Sequence, residues 1–285
     1  MLRLFCLLFV FSQPIAFIVE AKAQPQLVAS VKPLQLIAAA ITDGVSTPGL
    51  VIGPGQDPHH PSLRPSERRV LAEADLTLWV GSILELPLED TLDISSAQVI
   101  TAYALLEAGG LTITNSQDPH VWLSTQNARL IAQVVTRRLQ ALDSMNQARY
   151  ANNLNRFLLA LDELDAEITT LFSGLSTKDF AVYHNAFQYF ERQFGLQHVA
   201  SFTENEELQP GVRRILEIRE SLEAAQVNCL LIQPQNNPQQ LAQMLGRPMH
   251  MVSVDVLGFD YPLSASAYLT FMHDLSGAIA GCLRA

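Results

Sequence analysis

Residues 146–172 read NQARYANNLNRFLLALDELDAEITTLF. Within them Tyr150, Leu154, Phe157, Leu161, Leu164, Ile168 and Leu171 recur at spacings of four and three. That is the stripe of an amphipathic helix. As one helix the stretch is about 40 Å long at ~1.5 Å per residue, and Gly174 stands where a glycine ends a helix. A helix of that length reaches across a whole two-lobed molecule. The same stripe also suits a hairpin with the helical pattern of 125–142, where Leu130, Val134, Val135, Leu139 and Leu142 are apolar. Periodicity alone does not separate the two arrangements.

On either side of this segment short apolar runs alternate with helical patterns. Before it, β-like runs cover 28–31, 49–53, 76–81 and 99–102, with helical stretches at 33–42, 66–74 and around 84–92. After it, strands are predicted at 180–183, 198–201, 229–233 and 249–254. Helices are predicted at 185–194, 210–225, 238–245 and 265–283. Such alternation specifies βα units and parallel sheets. Ser66 and Ser124 suit helix N-caps, and Pro210 suits a first helical turn. The expectation is an α/β protein of two lobes, each a roughly four-stranded parallel sheet flanked by helices. The boundaries are 24–144 for the first lobe, 145–174 for the joining helix and 175–285 for the second lobe.

The first 23 residues read as an export signal rather than as part of the fold. Arg3 supplies a positive start and Leu4 to Val19 is mostly apolar. Ala21-Lys22-Ala23 then offers small residues at the two positions a signal peptidase requires. Cleavage after Ala23 is expected to leave a mature chain outside the cytoplasm. Cys6 leaves with the signal, so Cys229 and Cys282 remain, and two cysteines in an exported chain are expected to pair. The bridge closes a loop of about fifty residues, worth roughly 4 kcal/mol in the chain-entropy model. The alternative is two buried free thiols.

Composition narrows the function. The chain has 285 residues, 48% of them hydrophobic and 16% charged, which excludes a disordered protein. The formal net charge of −10 argues against nucleic acid and anionic membranes as partners. The candidate chemistry lies in histidines. His59 follows the second predicted strand, His120 precedes a helix, and His184 follows a strand and opens a helix. Asp255 sits just past another strand. Ligands of parallel sheets gather beyond the carboxyl ends of strands. Three imidazoles and one carboxylate suit Zn²⁺, which takes four N, S or O donors in tetrahedral geometry. The four residues stand sixty to seventy residues apart, and no compact zinc motif is present. A lone histidine is more often a cap, a surface residue or a satisfied core residue than a ligand.

Several stretches stand in a telling order: Asp57-Pro58-His59 with Leu63-Arg64-Pro65-Ser66, Ala74-Asp75-Leu76-Thr77-Leu78-Trp79-Val80-Gly81, and Asp118-Pro119-His120-Val121-Trp122-Leu123-Ser124. They are followed by His184-Asn185-Ala186-Phe187, Tyr189-Phe190-Glu191, Gln193-Phe194-Gly195-Leu196, Leu208-Gln209-Pro210-Gly211, and the pair Cys229 and Cys282. In these stretches, taken together, the sequence resembles the periplasmic substrate-binding proteins of bacterial high-affinity zinc-uptake ABC transporters.

The resemblance implies two lobes bridged by one long helix, with one Zn²⁺ held in the cleft as transported ligand. Its implied ligands are His59, His120, His184 and Asp255, with His59 preferred over His60 and Asp255 alternating with water as the fourth. It also implies delivery to an inner-membrane ABC permease driven by a cytoplasmic ATPase, a monomeric carrier and no enzymatic activity. Manganese-type relatives carry glutamate at the third ligand position. His184 there points to zinc, because Zn²⁺ favours imidazole nitrogen and Mn²⁺ carboxylate oxygen.

Three departures stand out. Residues 102–117 lack the His-rich loop common in zinc-type members. His184-Asn185-Ala186 replaces His-Asp-Ala, and Asp255-Val256-Leu257-Gly258 replaces Asp-Pro-Leu-Gly. A zinc hydrolase is the competing class and would use Glu67, Glu85, Asp118 or Asp255 as general base. No catalytic motif places any of them there.

Overall fold

The structure is a computed structural model that describes residues 24–113, 117–203 and 210–285. The predicted signal segment, 1–23, lies outside the described residues, as do Leu208 and Gln209. Among the described residues, eight short parallel strands form two sheets. The first comprises β1 (Leu27–Ala29), β2 (Gly49–Leu50), β3 (Leu76–Trp79) and β4 (Val99–Thr101), in the order β2-β1-β3-β4. The second comprises β5 (Asp179–His184), β6 (Gln197–Thr203), β7 (Cys229–Ile232) and β8 (His250–Ser253), in the order β6-β5-β7-β8. Both sheets therefore reverse their winding at an equivalent place, between β1 and β3 and between β5 and β7.

Helices cover the sheets. They are α1 (Lys32–Thr42), α2 (Pro65–Ala72), α3 (Ser82–Glu89), α4 (Ala102–Ala108), α5 (Thr125–Leu142), α6 (Gln147–Ser173), α7 (Gln188–Phe194), α8 (Val212–Ala224), α9 (Pro238–Leu245) and α10 (Ala267–Leu283). The long helix α6 is continuous and lies between the lobes. It pairs with α5 as a hairpin and also packs on α1, α7 and α10. Both readings of its stripe are thus realised at once. Its buried residues are Tyr150, Asn153, Phe157, Leu161, Leu164, Ile168 and Phe172. Asn153 carries the stripe where no apolar residue stands, by donating to the carbonyls of Ile41 and Asp43 at 2.8 and 2.9 Å.

One hydrophobic core runs through both lobes. It joins Leu27, Leu34 and Trp79 of the first to Phe180, Tyr268 and Phe271 of the second. A second cluster covers the other face of β5. Alternation along the strand explains the split: Phe180 and Val182 face the shared core, while Ala181 and Tyr183 face Ile218 and Leu222 of α8. Cys229 and Cys282 are bonded, tying α10 to β7 as expected.

Several boundaries differ from the sequence reading. Helix α2 starts at Pro65, not Ser66, because Glu67 Oε2 accepts from the Arg64 N–H at 2.6 Å and makes Arg64 the cap. Strand β5 runs through His184, which pairs with Thr203, and the Asn185 N–H extends that ladder to Thr203 O. Helix α7 consequently opens at Gln188, three residues later than predicted. Gly211 caps α8, so Pro210 precedes the helix rather than entering its first turn. Ser124 is an N-cap as predicted and accepts from the Asn127 N–H.

Candidate metal centre

His59, His120 and His184 come together where the two lobes meet. One ligand atom from each lies within 4.8 Å of the others. Ring centroids are 4.7 Å apart for His120 and His184, and 5.5 Å for His59 to either. His120 and His184 are each 2% exposed and His59 is half-buried. The chain brings them there in three ways. His59 rides a loop after β2, the edge strand of the first sheet. His120 sits one turn before the capped start of α5. His184 is the last residue of β5, beside the winding reversal of the second sheet, which is where α/β sheets open a crevice for ligands.

The tripeptide Asp-Pro-His occurs twice and folds the same way each time. Asp57 Oδ1 accepts from the His59 N–H at 2.9 Å, and Asp118 Oδ1 accepts from the His120 N–H at 2.9 Å. Each aspartate thereby folds the chain back and projects its histidine. The second oxygen differs. Asp57 Oδ2 meets Nδ1 of His60 at 3.2 Å, and the His60 side chain is 57% exposed. In Asp118 the first oxygen, Oδ1, also meets Nδ1 of His120 at 2.7 Å, and the second, Oδ2, accepts from the Gln188 N–H at the start of α7 at 3.2 Å.

Burial pushes the Asp118 carboxyl up to about 7, against the opposing pull of the His120 N–H, His184, the Gln188 N–H and His198. A divalent cation among the three imidazoles would favour the ionised form. Sequence reasoning quoted Asp118 within a motif and as a hydrolase base, and missed its place behind His120. The repeated Asp-Pro-His was the available signal. Gln233 was missed as well: its Nε2 lies 3.3 Å from Nδ1 of His184.

Asp255 stands outside the three-histidine group. Its two oxygens accept from the N–H groups of Leu257 and Phe259 at 2.8 and 2.9 Å. It lines a cavity of about 480 Å³ between the lobes, with Gln56 and Asp57 on one side and Gln233 and Phe259 on the other. Among the proposed hydrolase bases, Glu85 is fully buried beneath Val80 and Gly81 and Glu67 caps α2. No helix among the described residues is long and apolar enough to cross a membrane.

Comparison with known proteins places these features in a family. Residues 27–282 match the model of the periplasmic zinc-uptake complex component A family. A protein of Yersinia pestis named high-affinity zinc uptake system protein ZnuA is 31% identical over 293 aligned positions, covering 92% of each chain. Among solved structures, a crystal structure of ZnuA superposes with a TM-score of 0.74 at 22% identity, over 90% of this chain and 100% of that one. The laminin-binding protein Lmb of Streptococcus agalactiae, described as a bifunctional adhesin and metal transporter, superposes with a TM-score of 0.75 at 21% identity, over 91% and 99%. At such identities the structural likeness speaks for the fold.

Proposed function

The chain belongs to the periplasmic zinc-uptake component A family, and from that premise we propose that it captures Zn²⁺ in the periplasm and hands it to an inner-membrane ABC permease powered by a cytoplasmic ATPase. The observation that carries this reading is the convergence of three imidazoles from three distant segments, two of them buried.

His59, His120 and His184 supply three neutral nitrogen donors, and Asp255 or a water completes a tetrahedron. His120 coordinates through Nε2, because its Nδ1 is committed to Asp118. A carboxylate behind a ligand imidazole fixes the ring's tautomer and raises its basicity. The donor set selects zinc over manganese through its nitrogen-rich chemistry. The metal is cargo: the protein binds and releases it and performs no bond chemistry. The chain acts as a monomer after removal of residues 1–23. The shared core and the α6 brace favour release through small lobe or loop movements.

The test is zinc affinity under chelator competition. His59→Ala, His120→Ala and His184→Ala are each expected to weaken binding by at least tenfold or so, on the scale set by loss of metal-orienting groups. His60→Ala is expected to leave it unchanged. Equal damage from His60→Ala and His59→Ala would overturn the assignment of the first ligand.

A further inference from the structure

His120 and His184 are both buried, and the groups behind their rings differ in kind. His120 backs onto a carboxylate, whereas Nδ1 of His184 faces the side-chain amide of Gln233. Gln233 is 5% exposed and directly follows β7. The parallel register that aligns Val182 with Leu231 carries on to set Gln233 level with His184 across the winding reversal. The Gln233 backbone N–H donates to Asn236 Oδ1 at 2.8 Å, which fixes the turn after β7. Its Oε1 accepts from Gln235 Nε2 at 3.1 Å. The amide is therefore engaged at both ends, in a crevice that opens beside the candidate metal centre.

The chemistry of this contact depends on the state of the ring. With the amide nitrogen against Nδ1, the contact is a hydrogen bond only when the imidazole carries its proton on Nε2 and leaves Nδ1 as the acceptor. A ring in that state does not coordinate through Nε2. A ligand histidine bound through Nε2 carries its proton on Nδ1 and donates it to an acceptor behind the ring. A half-turn of the Gln233 amide exchanges nitrogen for oxygen with almost no change of shape and supplies that acceptor.

We propose that Gln233 is the positioning residue for His184 in zinc capture: its amide holds the ring in the metal-free chain and turns its carbonyl oxygen to Nδ1–H when Nε2 takes the metal. The amide of Gln235 follows, since after the turn Gln233 presents a donor to it. This rests on the proposal that His184 is a zinc ligand. The two buried ligands then differ in strength. A neutral amide supports the imidazole less than a carboxylate does, which suits a cargo that must leave.

The experiment uses the full mature chain, with Zn²⁺ as the only probe. Long-range ¹⁵N–¹H correlation spectra locate the His184 proton on Nε2 without metal and on Nδ1 with it. Gln233→Leu, which keeps the size and removes the acceptor, weakens zinc binding by about 10–100-fold with unchanged circular dichroism. Gln233→Glu accepts from Nδ1–H without any turn, binds at least as tightly as the parent, and has Nδ1 protonated in both states. A parent with Nδ1 already protonated before metal is added overturns the proposal. So does a Gln233→Leu variant within about twofold of the parent, if His184→Ala is damaging. Affinity that is indifferent to His184→Ala as well would remove the three-histidine reading beneath it.

Discussion

The indole N–H of Trp122 donates to the carbonyl of Val256 at 2.8 Å, joining the first lobe to the second across 134 residues of sequence. The Trp122 carbonyl in turn accepts from the hydroxyl of Tyr268 on α10 at 2.8 Å. Trp122 is fully buried and its ring lies 5.3 Å from that of His120. The residue that locks the lobes together thus also packs against a candidate ligand. Trp122→Phe leaves the Val256 carbonyl buried without its donor, a loss of about 1–3 kcal/mol. Urea unfolding of the metal-free protein measures it. An unchanged midpoint would mean that this contact does not hold the lobes.

Asp118→Asn keeps the shape behind His120 and removes the anionic acceptor. Zinc affinity is expected to fall by about 10–100-fold, as for other carboxylates behind metal-binding imidazoles. Chelator competition reads the change. Parent-like affinity would show that the carboxylate only shapes the loop.

Glu85 gives the metal-free protein a pH signature independent of the metal centre. Burial raises its carboxyl from the ordinary 4.5 to about 7, against hydrogen bonds from the Val80 and Gly81 N–H groups. Between those values the folded chain holds a proton that the unfolded chain has released, so this group's contribution to stability falls as pH rises. Glu85→Gln keeps an acceptor for the Val80 and Gly81 N–H groups and removes the titration. Its stability advantage over the parent is expected to grow by about 2–3 kcal/mol between pH 5 and pH 8. Denaturant unfolding with chelator present is the measurement, and a pH-independent gap would contradict it.

Much of this was legible in the sequence because the signals were long or chemically specific. The α6 stripe, the alternation of strands and helices, and Ser124 as a cap all follow from local pattern. Helix α4 did not: Ala102–Ala108 is seven residues with no side-chain cap, too short for a period to register. The start of α7 was misplaced because local pattern cannot reveal that β5 pairs with β6 through His184. The three histidines stood out as candidates by their place after strands and before a helix, together with the family's motifs. Their mutual distance was invisible, since it depends on how the lobes meet. Gln233 carried no signal at all, because its partner is set by sheet register rather than by sequence spacing.

The disulfide should matter for stability and little for binding. Cys229 and Cys282 lie in β7 and α10, and neither belongs to the three-histidine group. Replacing both by serine is expected to cost about 4 kcal/mol of unfolding free energy in the chain-entropy model. Zinc affinity at a temperature where the variant is folded should match the parent. A variant that folds yet loses zinc would tie the bridge to the site.

The central claim is that zinc is held by imidazoles from both lobes. X-ray absorption at the zinc edge of protein loaded with one equivalent of Zn²⁺ tests it most directly. The account predicts four light donors at about 2.0–2.1 Å, with the multiple-scattering pattern of three imidazoles, and of two in His184→Ala. A first shell of oxygens alone, or a parent spectrum unchanged by His184→Ala, would contradict it.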